Sequence, residues 1–262
     1  GRDIQAWDTL QTFKPDVIGV QEFDDEWYSA FKKFKNNADS ISYTAVNENE
    51  IKYALNGNQQ TIYTTLLYNP ETVTLKEWKH TRFKTADTNT NCRSYTYGVF
   101  ERIENNEEFI VISSHWNHLD SSLDGTIQKD KEQAEETAEV YKSLSNGYGC
   151  PVIAVGDMNQ IDSHHSYKTL VNESEFIDLK YETQERGLVC DTYHIGNGKS
   201  YEPDKWYRGI DSLIDSLVST DEARDHILGN DRVESLYYET VTTERALDSS
   251  DHMPIFVDVN LK

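Results

Sequence analysis

Short apolar runs in this chain repeatedly stop at a carboxylate, an asparagine or a histidine. Val17-Ile18-Gly19-Val20 runs into Gln21-Glu22, and Pro151 to Val155 runs into Gly156-Asp157-Met158-Asn159. Pro254 to Val259 follows Ser250-Asp251-His252 after Met253. Apolar runs of this length, bounded by polar and turn-forming residues, suit buried strands. Strands that end on one edge of a sheet scaffold hold their terminal side chains rigidly together. A chain built this way is expected to carry its chemistry at strand ends.

The remaining elements fill in around these strands. Ile4, Trp7, Leu10 and Phe13 recur at helical spacing, and Pro15 stops that helix. Trp27 to Phe34 reads as a second helix, and Lys129 to Leu144, rich in Ala, Glu and Lys, as the clearest one. Thr61 to Tyr68 is β-rich and is followed by a turn at Asn69-Pro70. Tyr95 to Arg102 and Phe109 to Ser113 flank Glu104-Asn105-Asn106-Glu107 and read as a hairpin. Leu213 to Val218 and Ser235 to Val241 are further strand candidates. No repeat or linker divides the chain, so residues 1–262 read as a single domain.

Composition narrows the partners. The net charge is −21, from 46 acidic and 25 basic residues. A field of that sign repels polyanions at long range, so nucleic acid is a partner the charge does not favour. A nuclease is not excluded, because divalent cations and a local basic rim offset the field where it matters. Cys92, Cys150 and Cys190 lack the spacing of a zinc site. No apolar run has the length of a membrane span. The chain opens at Gly1-Arg2-Asp3 without an initiator Met, so an upstream segment is expected. The compartment (cytoplasm, or outside the cell after loss of that segment) and the oligomeric state stay open.

Hydrolysis of a phosphate ester needs few groups. Carboxylates hold a hard cation such as magnesium, which usually takes one or two of them plus water and substrate. A carboxylate or imidazole orients and deprotonates the attacking water. Histidine and asparagine stabilise the charge that builds on phosphorus. Glu22, His115, Asp157, Asn159, Asp215, Asp251 and His252 supply each of these roles. Taken singly they have plainer readings: strand-end carboxylates, turn residues, a hydrogen-bonded core histidine. His164-His165 reads as a loop pair, Lys32-Lys33-Phe34-Lys35 as a solvated helix face, and His80, Trp116 and Trp206 as packing.

The motifs, taken in order, resemble the endonuclease/exonuclease/phosphatase superfamily. Pro15 to Glu22 resembles the family's "PDIIGLQE", Ser113-Ser114-His115 its "NTHL", and Val155 to Asn159 its "GDFN". Ile214-Asp215-Ser216-Leu217-Val218-Ser219 resembles "IDYIFVS", and Ser250 to Pro254 resembles "SDHYPV". Each is weak alone; their order and separation carry the resemblance, from about Phe13 to the C-terminus.

The resemblance implies an α/β fold, a two-sheet sandwich flanked by helices in four layers, α/β/β/α. It implies a magnesium ion, with manganese as a substitute, held by Glu22 and with Asp251 beside it. Asp157 would orient or activate the water, Asn159 would bind a phosphate oxygen, and His252, oriented by Asp215, would contact the phosphate; the general base is Asp157 or His252. His115 would stabilise the transition state or assist the leaving group. Asp191-Thr192-Tyr193-His194 resembles a "GTFH" stretch and brings His194 to the substrate pocket; Ser113 to His118 departs from the family's segment, and there Asn117 or His118 adds a local contact. The family's first strand, which carries an Asn near the metal, is expected to be missing. Three functions are then in view: a phosphodiesterase or phosphatase for a small or lipid-derived phosphate, a nuclease, and a non-catalytic binding protein.

Overall fold

The computed structural model describes residues 10–35, 41–55, 63–86, 93–117, 124–160, 164–179, 225–240 and 255–262. Residues 10–13 are helical, and the turn closes at Lys14, whose N–H reaches Leu10 O and whose φ is 50°. The expected stop before Pro15 is therefore found. Strand β1 (Val17–Phe23) follows, then helix α1 (Asp25–Lys35), strand β2 (Thr44–Ala45), helix α2 (Glu48–Leu55) and strand β3 (Tyr63–Tyr68). These strands form a three-stranded sheet in the order β1-β3-β2.

Six further strands form the large sheet: β4 (Val73–Arg82), β5 (Ser94–Arg102), β6 (Glu108–His115), β7 (Val152–Asp157), β8 (Ile177–Asp178) and β9 (Asp225–Gly229). Their order is β4-β5-β6-β7-β9-β8. The β5–β6 hairpin is the one expected; it turns through Asn106, at φ 59°. β6 and β7 are parallel, and helix α3 (Asp124–Tyr148) makes the crossover between them. Helix α4 (His165–Ser174) follows β7, and a hairpin of β10 (Val233–Thr240) and β11 (Ile255–Leu261) ends the chain.

Three apolar clusters fix how these elements stack. Ala134, Ala138, Tyr141 and Leu144 form one stripe of α3 and bury it, with Tyr167 and Leu170 of α4, against Ile110, Ile112, Val152 and Ala154. On the opposite face of the large sheet, Val111, Ile153 and Ile227 meet Leu66 of β3, Val17 of β1, and Val233, Val257 and Leu261 of the terminal hairpin. The outer face of the small sheet buries Phe23 and Leu67 against Tyr28, Phe31 and Ile51 of α1 and α2. The two sheets approach closely at Gly19, where a Cβ would lie 2.1 Å from Val155 Cγ2. Glycine is required there because any side chain would displace β1 from β7.

Some expectations are corrected. His164 and His165 are not loop residues: His164 caps α4, accepting from the Ser166 N–H at 3.4 Å, and His165 opens the helix with its ring 4.1 Å from that of His164. Trp116 is packing, as expected, and is fully buried. The strand expected at Leu213 to Val218 lies outside the described residues. Among the described residues, no helix is long and apolar enough to cross a membrane.

Candidate active site at the strand ends

Parallel pairing of β6 with β7 places His115 opposite Asp157, and antiparallel pairing of β7 with β9 places Asp157 opposite Asp225. One row across three strands therefore carries an imidazole and two carboxylates at a single sheet edge. β1 ends over the same edge from the other sheet. Its register slips between Val20 and Phe23, and Glu22 sits in that bulge at φ 52°. A bulge re-aims side chains: Gln21 turns inward and donates to Ser113 Oγ at 2.8 Å, while Glu22 stays 64% exposed.

His115 is only 1% exposed. Its Nε2 lies 3.6 Å from Asp157 Oδ2 and 3.9 Å from Glu22 Oε1. Both distances exceed a hydrogen bond. The nearer partner is Arg93, just before β5, whose Nη1 approaches His115 Nε2 at 2.5 Å. A guanidinium only donates, so Nε2 accepts and carries no hydrogen in this arrangement.

The Trp116 backbone ties the site together. Its N–H donates to Asp157 O at 2.9 Å, and its carbonyl accepts from Arg93 Nη1 at 2.5 Å and from Asn159 Nδ2 at 3.1 Å. Asp157 Oδ1 accepts from the Asn159 N–H at 2.8 Å, closing a turn in which Asn159 takes φ 50°. Asn is among the few residues that adopt this conformation at low cost, which explains its place there. Oδ2 is left facing His115. At Gly156 a Cβ would fall 2.1 Å from Ser114 O, so only glycine lets β7 run this close to β6 before the turn.

Of the residues expected from sequence, Glu22, His115, Asp157 and Asn159 converge here. Asn117 is buried nearby; its Nδ2 donates to Thr85 O at 3.0 Å and its N–H to Gln133 Oε1 at 2.9 Å. His118, His194, Asp215, Asp251 and His252 lie outside the described residues. Among the described residues, no three His, Cys, Asp or Glu side chains group tightly enough to hold a metal. Glu22 alone still offers what magnesium takes from a protein, an exposed carboxylate with room for retained waters.

Two residues at this edge were missed from sequence. Asp225 opens a short apolar run, Ile227-Leu228, and so repeats the strand-end pattern in reverse, since β9 is antiparallel to β7. Arg93, between Cys92 and Ser94, has no sequence signal of this kind.

Comparison with known proteins bears on the fold. The chain resembles the mannosyl-6-phosphatase Bt3783 of Bacteroides thetaiotaomicron VPI-5482, with a TM-score of 0.66 and 20% identity over 99% of this chain and 91% of that one. It resembles the D. rerio TDP2 structure complexed with single strand DNA product at 0.69 and 15%, over 99% and 91%. The human Nocturnin catalytic domain with bound sulfate anion matches at 0.66 and 13%, over 100% and 86%. At these identities the likeness is one of fold. No curated protein sequence matches the chain. The family's own sequence model aligns with residues 4–252, nearly the whole chain, and on that match the protein belongs to the Endonuclease/Exonuclease/phosphatase family.

Proposed function

We propose that the protein is a metal-dependent phosphoesterase that hydrolyses a phosphodiester or phosphomonoester by in-line attack of water. One observation carries the reading: Glu22, His115 and Asp157, from three strands of two sheets, meet at one edge. Asp157 Oδ2 orients the attacking water and accepts its proton, while Oδ1 stays in the turn. Asn159 binds a phosphoryl oxygen, and His115, once its Nε2 takes up a proton and gives up the Arg93 bond, donates to the charge that builds in the transition state. Glu22, with Asp251, would hold magnesium or manganese, which when bound neutralises charge on the phosphoryl oxygens. His252 contacts the phosphate. Asp215 or Asp225 orients it; Asp225 is supported by its place opposite Asp157. The stacking of helices on both outer faces of the paired sheets supports a four-layer α/β/β/α sandwich.

The substrate is proposed to be small or lipid-derived, because the net charge of −21 opposes a long polyanion. The named structures are compatible with several esters, a sugar phosphate and DNA among them. The test is turnover of bis-p-nitrophenyl phosphate, p-nitrophenyl phosphate, plasmid DNA, an inositol phosphate and sphingomyelin, with magnesium or with EDTA. Magnesium-dependent turnover, lost in Asp157→Ala, is the expected result. Preference for plasmid DNA would move the reading to a nuclease. No turnover together with no magnesium binding would leave a non-catalytic binding protein.

A further inference from the structure

The turn that carries Asp157 and Asn159 rests on a buried polar network that the chemistry above does not use. His226, on β9 opposite Gly156, is 0% exposed. Its Nε2 lies 2.8 Å from Gln160 O, and its Nδ1 lies 3.2 Å from Asp178 Oδ2. The Tyr167 hydroxyl of α4 donates to the same Oδ2, and the Tyr167 ring stacks on the imidazole at 4.1 Å and 28°. Nε2 thus faces a carbonyl, which can only accept, so it carries a hydrogen and donates.

Such a network is an expensive way to fill a core. A buried His–Asp pair is often matched or bettered in stability by apolar residues of the same size. Packing alone would be served by a second aromatic stacked on Tyr167. What the imidazole adds is a directed bond to the Gln160 carbonyl, one residue beyond Asn159. Hydrogen bonds also reach the turn from the β6 side, through Trp116, and lie within it, from Asn159 N–H to Asp157 Oδ1. From the β9 side the ladder ends at Asp157, opposite Asp225, and His226 carries the hold on to Gln160. We propose that His226, oriented by Asp178 and Tyr167, is a positioning residue that fixes the Asp157–Gln160 turn for catalysis.

This rests on the phosphoesterase reading, so the experiment separates the two. His226→Phe combined with Asp178→Asn keeps the stacking and removes both the donor and the buried charge. His226→Gln keeps a donor. The readouts are kcat and KM at saturating magnesium, the thermal midpoint, and amide exchange at Asn159, whose N–H is held by Asp157 Oδ1. The expected result for the double variant is a fall in kcat of roughly tenfold to a hundredfold, with KM little changed. Asn159 exchange should accelerate with it, and His226→Gln should recover much of both. A folded double variant with wild-type kcat and Asn159 exchange would overturn the proposal. So would a kcat loss that follows only the fraction of protein unfolded. If the double variant fails to fold, Tyr167→Phe, which removes one donor to Asp178, decides on the same readouts. If the unaltered protein turns over nothing, the phosphoesterase reading fails, and Asn159 exchange alone still judges His226.

Discussion

Asp157 divides its carboxylate between two tasks, Oδ1 in the turn and Oδ2 toward His115. The division lets substitutions separate structure from chemistry. Asp157→Asn keeps an oxygen for the turn and removes the charge; it should fold normally and lose ~100-fold or more in kcat, the range for a general base. Asp157→Ala should lose that activity and some stability as well, read by thermal melting. Asn159 allows the same separation. Its φ of 50° makes Asn159→Ala costly by about 1–2 kcal/mol, because alanine meets the Cβ penalty of that region without the short polar side chain that offsets it in Asn. Asn159→Gly accepts the backbone but gives up the bond to Trp116 O. The glycine variant should melt close to the unaltered protein and still be impaired in turnover. If instead it is fully active, Asn159 serves the backbone alone.

At the scale of elements, strands whose apolar residues run unbroken into a polar end were legible, and strands with irregularities were not. β1, β6 and β7 announced themselves, and with them four of the site residues. β4 did not: its register slips between Leu75 and Glu77, so Val73 and Leu75 fall out of step with Trp78 and His80, and the alternation that marks a strand is lost. β9 is short and opens with Asp225 and His226, which hides its apolar half. The Glu22 bulge, and so the outward aim of that carboxylate, is set by pairing with β3 and has no local sequence sign. β4 carries its own prediction. Burial pushes the His80 imidazole down to about 4 from an ordinary 6.5, against a smaller opposing effect of a hydrogen bond to the Thr64 backbone. The folded value is depressed, so the unfolded chain takes the proton first as pH falls. The stability His80 contributes is whole above 6.5 and is lost as pH drops toward 4, at most on the order of 3 kcal/mol. Thermal melting of His80→Gln should therefore depend less on pH across that window than the unaltered protein does. Equal slopes would mean that other groups govern acid unfolding.

For the molecule as a whole, charge and site pull in related directions. A net charge of −21 strains the folded state by self-repulsion, which any salt relieves by screening. Magnesium does something more if the strand-end edge holds it: an ion that binds only the folded state stabilises it by mass action, by about 2.7 kcal/mol at a hundred times its dissociation constant. The two effects separate when ionic strength is held constant with sodium chloride and only magnesium is varied. The unaltered protein should then gain in melting temperature as magnesium rises, and EDTA should reverse the gain. Glu22 is exposed and stands in a bulge, so Glu22→Gln removes a charge without opening the core, and this variant should gain much less. An equal gain in both proteins would place the ion on the acidic surface at large, and Glu22 would lose its assigned role. A gain confined to the unaltered protein ties the stabilising ion to the edge where His115 and Asp157 meet, since Glu22 is the carboxylate that β1 brings there from the other sheet.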